Sequence, residues 1–161
     1  MLIVGLVVVL VAAWGVMGHP TGAPSSVCDH PFMEPICHRD NLSAIGFNNT
    51  GQYSLCSDAV EGSPGRVMVT LTGASFKGFV IRATTDGENL GEFNEEGSNV
   101  SFNDLTCSRQ EDVAVTHVNA NSKSSVSLVW EESNGGKSTF QATVVPSIET
   151  YVINIYGRSN C

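Results

Sequence analysis

The residues whose types could do chemistry are histidines, cysteines and carboxylates. Two cysteines and two histidines in one stretch could bind zinc, namely Cys28, His30, Cys37 and His38. The acidic stretch at 86–96 could offer oxygens to Ca²⁺, but its spacing differs from that of an EF-hand loop. In an oxidising compartment, disulfides account better for the cysteines, and a solvated loop accounts for the carboxylates. We therefore expect no metal site and no cofactor.

An amino-terminal histidine could form a copper site. If processing makes His19 the first residue, its α-amine and ring can chelate copper together with a second histidine. His117, His30 and His38 are the candidates for that second ligand. The alternative is that His117 is structural, buried beside Cys107 and hydrogen-bonded to the backbone. We favour the structural interpretation.

No spacing in the sequence indicates nucleophilic or acid–base catalysis. A G-x-S-x-G turn is missing, and the neighbouring carboxylates Glu95 and Glu96 would face opposite ways on a strand. The net charge of -8 argues against a nucleic-acid binder, which needs a basic surface. We predict a protein that is not an enzyme and binds no nucleic acid.

The first 18 residues are typical of a secretory signal peptide, because the apolar run 2–13 is followed by small residues. No Lys or Arg precedes this run. We predict cleavage after Gly18, with Ala13 as the second candidate position. The run is shorter than the roughly 20 residues of a membrane span. We therefore expect a signal peptide at 1–18, a single extracellular domain at 19–161 and no membrane span.

Short runs of alternating apolar residues predict the strands. They lie at 66–71, 78–83, 114–118, 124–130, 138–145 and 151–156. In the last run, the period of two places Tyr151, Ile153 and Ile155 on one face. Asn134-Gly135-Gly136 predicts a hairpin between two of the runs. Together these patterns predict an all-β fold, an antiparallel β-sandwich.

The remaining segments are predicted to be irregular. Four prolines make residues 19–35 an extended arm, and the polar residues 41–52 predict a loop. Trp130 and Phe140 alternate in register with aliphatic residues, which favours core positions over an exposed platform for sugars.

Three N-x-[ST] triplets predict N-glycosylation at Asn41, Asn48 and Asn99. The chain also has 5 cysteines. Two bridges and one unpaired cysteine can be arranged in about fifteen ways, and the sequence alone does not select one. Cys161 is the last residue, so it is the natural unpaired cysteine or the link of a covalent dimer.

Four blocks of the sequence resemble the Reeler (reelin-type) domain family. They are Pro20–Pro24 with Val27-Cys28, Phe76–Ala83, Thr116–Asn119 with Lys123–Val126, and Phe140–Val145. The resemblance implies an immunoglobulin/fibronectin-III-like β-sandwich and a disulfide between Cys28 and Cys107. We place a second bridge between Cys37 and Cys56, which lie in the same loop-rich stretch, and leave Cys161 unassigned.

The resemblance also implies a function. Stand-alone Reeler proteins of this length resemble secreted invertebrate defence proteins of innate immunity. We therefore expect a non-catalytic, antimicrobial binding module that recognises microbial surface glycans or lipoglycans, or host cells. The alternative is a structural extracellular-matrix module that is acidic and binds calcium. Larger relatives join the domain to ferric-chelate reductase chains. No heme-binding transmembrane bundle is seen here, so we do not expect reductase activity.

The charge of -8 adds a constraint on the ligand. It predicts long-range repulsion of anionic phosphates. Recognition should then use sugar hydroxyls, apolar contacts or a bound cation.

Overall fold

The computed structural model describes residues 19–35, 45–85, 91–108, 112–133, 137–159 and 161. Several features named above lie outside the described residues. They are the predicted signal peptide, Cys37, His38, Asn41, residues 86–90 of the acidic stretch and the predicted turn at 134–136. The described part has a 3₁₀ turn at Ser25–Val27 and ten strands. These are β1 (Ile45–Asn48), β2 (Tyr53–Ala59), β3 (Arg66–Phe76), β4 (Gly78–Thr85), β5 (Glu92–Asn94), β6 (Phe102–Leu105), β7 (Asp112–His117), β8 (Lys123–Glu131), β9 (Ser138–Ser147) and β10 (Thr150–Arg158).

The strands form one mixed sheet in the order β5-β8-β3-β2-β10-β9-β4-β7-β6, and β1 also pairs with β10. β10 runs parallel to β1 along its first half and parallel to β2 at Gly157 and Arg158. The other pairs are antiparallel. The predicted all-β fold is confirmed. The purely antiparallel arrangement is wrong, because one edge of β10 pairs with β1 and β2, which run in its own direction, while β9 pairs antiparallel with the other edge.

The sheet curls until its two halves face each other. Trp130 in β8 and Phe140 in β9 are not on neighbouring strands, yet their ring centroids lie 5.9 Å apart. The alternating residues Val126, Leu128 and Trp130 are each 0% exposed. The two halves thus enclose an inner core, and the core assignment of Trp130 and Phe140 is confirmed.

The period of two fails in β10. Val152 and Ile155 enter the inner core, whereas the pattern predicted Tyr151, Ile153 and Ile155 together. The pairing of β10 with β9 shifts register between Val152 and Ile155, and Asn154 has a φ of 61°. Such an irregularity adds a residue to one strand and turns the following side chains to the other face.

The predicted hairpin between β8 and β9 is also wrong. β8 pairs with β3 and β5, whereas β9 pairs with β10 and β4. The chain therefore crosses from one half of the curl to the other between these strands. In addition, β1 forms inside the segment 41–52 that was predicted to be a loop.

Two disulfides join distant parts of the chain. Cys28 bonds to Cys107 across a separation of 79 residues, which is the bridge that the resemblance implies. Cys56 bonds to Cys161 across 105 residues. The predicted Cys37–Cys56 pairing and the Cys161-linked dimer are therefore wrong. The parallel pairing of β10 with β2 places Arg158 opposite Cys56, and this brings the following residues to Cys56.

Candidate functional site

The arm at 19–35 covers the outer face of the sheet, opposite to the inner core. β4 shows the division, because Phe79 and Ile81 enter the inner core while Val80 packs against the arm. A second, smaller cluster thus forms between arm and sheet. It contains Val27, Cys28, Met33, Val80, Leu105 and Ala114.

Arg82 holds the middle of the arm. Prolines lack the backbone N–H that a strand needs, so side chains of the sheet bind the arm through its carbonyl oxygens. Arg82 Nη1 donates to the Cys28 carbonyl at 2.9 Å, and Nη2 donates to the Pro31 carbonyl at 3.2 Å. Nη2 also donates to Gln141 Oε1 at 2.6 Å. The guanidinium lies in a residue that is only 7% exposed, and charged hydrogen bonds of this kind are among the stronger ones.

Thr116 and His117 hold the start of the arm. The Ala23 N–H donates to Thr116 Oγ1 at 3.1 Å, and the Thr116 hydroxyl donates to the Phe79 carbonyl at 2.8 Å. The Phe79 N–H donates to His117 Nδ1 at 3.2 Å, and His117 Nε2 donates to the His19 carbonyl at 3.3 Å. Burial is the largest cause that lowers the pKa of His117. The ring is therefore neutral at pH 7, with its proton on Nε2.

Two glycines permit this close approach. A Cβ on Gly78 would lie 2.8 Å from His117 Cε1. A Cβ on Gly22 would lie 2.8 Å from the His117 carbonyl oxygen, and the φ of 123° at Gly22 is also unfavourable for other residues. His117 is buried and backbone-bound as the structural interpretation predicted. Along β7, His117 lies three residue pairs away from the Ala114–Leu105 pair. That pair neighbours the Cys28–Cys107 bridge, so His117 is not beside the bridge.

A cavity of about 370 Å³ opens between the arm and the sheet. This volume is within the range of roughly 300–1,000 Å³ that small-molecule pockets occupy. Its apolar lining is contributed by Pro20, Ala23, Pro24, Val27, Pro35, Val80, Ala120, Val145 and Ile148, and Phe79, whose side chain enters the inner core, also borders it. Its polar lining is contributed by His19, Lys77, Gly78, His117, Thr143 and Ser147. None of these lining residues is an aspartate or a glutamate.

Two lysines with different environments lie at this end of the molecule. The Lys123 ammonium donates to the carbonyls of Lys77, Asn119 and Asn121 at 3.2, 2.8 and 2.7 Å. Its burial lowers its pKa. Lys123 therefore holds together the loop and the start of β4 that line the cavity. Lys77 is exposed at the rim, where its ammonium can meet a ligand.

The structure does not assemble the copper site considered above. Both ring nitrogens of His117 already bond to backbone atoms, and His30 Nε2 lies 3.9 Å from Glu34 Oε2. Across the ranges that the structure describes, no group of three or more His, Cys, Asp and Glu side chains comes together.

The described glycosylation sites are exposed. Asn48 ends β1, and Asn99 lies between β5 and β6. Asn99 Oδ1 accepts the Ser127 N–H at 2.7 Å, and a glycan on Nδ2 would leave that bond in place. Glycosylation at Asn48 and Asn99 stays a prediction.

Apart from His19 and His117, sequence reasoning missed the residues that build the cavity and hold the arm. Arg82 carried a signal, because it is a single charge inside the apolar run of β4. Lys77 and Thr143 carried none, since their roles depend on an arm that is more than 40 residues away in sequence.

Within the described residues, no helix has the length and apolar character that a membrane span requires. The model of the Reeler domain family matches residues 38–159. The match includes the strands and leaves the arm at 19–35 outside it.

Two curated relatives carry the name of a reductase. The chain is 34% identical over 158 residues to "Putative ferric-chelate reductase 1" of Xenopus laevis, covering 88% of this chain and 24% of that protein. It is 37% identical over 99 residues to "Ferric-chelate reductase 1" of Bos taurus, covering 57% of this chain and 16% of that protein. The chain thus spans a quarter or less of the length of these relatives.

Two solved structures of domains from F-spondin match part of the chain. The human F-spondin reeler domain (fragment 1) has a TM-score of 0.49 and 18% identity, and it covers 72% of this chain and 89% of that chain. The Reelin-N domain of F-spondin has a TM-score of 0.49 and 20% identity, and it covers 75% of this chain and 91% of that chain.

Proposed function

The chain belongs to the Reeler domain family, and from that premise we propose that it is a secreted binding module of innate defence without catalytic activity. Its ligands in this proposal are glycans or lipoglycans of microbial surfaces. The observation that carries the proposal is the cavity of about 370 Å³ between arm and sheet. The two disulfides support the extracellular location, because such bonds persist in oxidising compartments.

The environment of His117 supports a non-catalytic role. A general base needs a lone pair within reach of the substrate, and the Nδ1 lone pair of His117 already accepts the Phe79 N–H. The reductase relatives are several times longer than this chain. We propose that their named chemistry lies outside the part that corresponds to it.

Two further proposals concern structure and modification. The facing halves of the curled sheet support an immunoglobulin/fibronectin-III-like sandwich as the finer fold assignment. The exposure of Asn48 and Asn99 supports N-glycans at both positions. Mass spectrometry before and after enzymatic deglycosylation of the secreted chain tests the proposed N-glycans.

Binding to intact microbes tests the defence role. The full chain is secreted from a eukaryotic host, and its binding to Gram-negative bacteria, Gram-positive bacteria and yeast is measured with and without a calcium chelator. We expect saturable binding to at least one microbe that a purified cell-wall component competes. Absence of binding to all three would contradict the defence role. Calcium-dependent binding to extracellular matrix in its place would favour a structural matrix module.

A further inference from the structure

We propose that the cavity between arm and sheet binds a small anionic amphiphile, with its apolar part inside and its acid group at Lys77. This inference rests on the proposed binding function and names the ligand class of that site.

The walls of the cavity favour an apolar ligand. Val80 and Val145 contribute apolar side chains from the sheet, and Pro20 and Pro24 contribute them from the arm. Ile148 lies at the mouth and is 47% exposed. Removing apolar surface of this kind from water stabilises a complex by about 25 cal/mol per Å². A ligand that covers these walls therefore gains affinity from the apolar part alone.

The rim favours a negative head group. Lys77 is exposed there, while the nearby Lys123 is bound to three carbonyls. The lining includes no carboxylate, although the whole chain has a net charge of -8. The charge that Lys77 gives to the lining is thus opposite in sign to the net charge of the molecule. Long-range repulsion would slow the approach of an anion, whereas the contact with Lys77 would stabilise it once bound.

The cavity also has a fixed shape. The Ala23 N–H is bonded to Thr116, and the start of the arm is bonded to His117. The proline side chains are therefore held in place before a ligand arrives. A pre-organised wall reduces the conformational entropy that is lost when a ligand binds.

Three probes with the same chain length and different head groups test the inference. Dodecanoate, dodecanol and dodecyltrimethylammonium are titrated into the secreted full chain by calorimetry, the two charged probes below their micelle concentrations and dodecanol below its solubility limit. We expect dodecanoate to bind most tightly. Lys77→Gln should weaken dodecanoate binding by about fivefold, the effect of an ion pair near the surface, and should leave dodecanol binding unchanged. Lys137→Gln, which removes an exposed lysine elsewhere, should change neither.

A second variant locates the ligand. Val145→Trp places a large side chain in the cavity and should abolish binding of all three probes. Circular dichroism checks that Val145→Trp folds. If it does not fold, Lys77→Gln still tests the site. Three results would each overturn the inference: no probe binding, equal binding of all three head groups, or full dodecanoate binding to a folded Val145→Trp variant.

The microbial assay separates this inference from the proposed function. Binding to microbes without dodecanoate binding would overturn the inference alone. Dodecanoate binding without microbial binding would support the inference and contradict the defence role.

Discussion

The two faces of the curled sheet are covered in different ways. The inner face is closed by apolar side chains that the sheet itself contributes, such as Leu128 and Trp130 from β8. The outer face is closed by an arm that forms no strand, held by a disulfide and by donors such as Arg82 and Thr116. Interdigitating side chains of facing strands leave little empty space, whereas an arm fixed at a few points leaves a cavity beside it. The inner face is closed by packing alone, whereas the outer face keeps the cavity that we propose as the ligand site.

The largest effect of a single substitution is expected in the inner core. Trp130 is 0% exposed, and its ring centroid lies 4.9 Å from that of Phe93. Trp130→Ala should lower the free energy of unfolding by about 3–5 kcal/mol, because it creates a cavity among packed rings. Urea denaturation followed by circular dichroism measures this. The control Tyr156→Ala removes a side chain that is 58% exposed and should cost less than about 0.5 kcal/mol. Similar losses of unfolding free energy for Trp130→Ala and Tyr156→Ala would contradict the role of the inner core in stability.

A comparison of the two disulfides separates the contribution of the arm from that of the junction between β2 and the residues that follow β10. Chain entropy assigns loops of 79 and 105 residues nearly equal contributions, about 4–5 kcal/mol each. Cys28 is buried in the outer cluster, while Cys161 is exposed. Replacing Cys28 and Cys107 by alanine should therefore cost about 1 kcal/mol more than replacing Cys56 and Cys161, because packing is lost as well.

Urea denaturation of the two double variants gives this difference, and proteolysis of the native state shows which segment is released. We expect cleavage in the arm of the first variant only. Equal losses and equal protection of the arm would mean that the bridge does not organise the outer layer.

Arg82 tests whether polar contacts hold the arm. Arg82→Met keeps much of the side-chain length and removes the donors to the Cys28 and Pro31 carbonyls. The free energy of unfolding should fall by about 2–3 kcal/mol, because charged hydrogen bonds are lost and buried acceptors are left without partners. Thermal and urea unfolding measure the loss. Arg158→Met, at an exposed position, is the matched control, and a comparable effect there would contradict the anchoring role.

The smallest effect is a pH dependence from His117. Burial is the main cause that lowers its pKa in the folded chain, while an unfolded histidine binds a proton near pH 6.5. At a pH between the pKa of the folded state and that of the unfolded state, the unfolded state binds more protons than the folded state. The free energy of unfolding should therefore fall as the pH falls below about 6.5. Urea denaturation from pH 8 to pH 5 should show a flatter profile for His117→Gln than for the unmodified chain. Parallel profiles would mean that His117 does not contribute.

Much of the fold follows from local patterns. The period of two located most of β3, β4, β8 and β9 and placed Trp130 and Phe140 in the core, because alternation along a strand depends only on which face is buried. The proline arm was equally clear, since each proline excludes a regular strand at its own position. The block resemblance added the family and the Cys28–Cys107 pairing.

Only the tertiary structure decided the features that depend on distant neighbours. The irregularity at Asn154 put Ile155 on the same face as Val152 instead of the face of Tyr151 and Ile153, and the parallel pairing of β10 with β2 brought Cys161 to Cys56. The cavity depends on where the arm lies across β4, β7 and β9. Sequence periodicity reports whether a residue is buried, but not which segment buries it. The inner core could therefore be predicted from the sequence, and the candidate binding site could not.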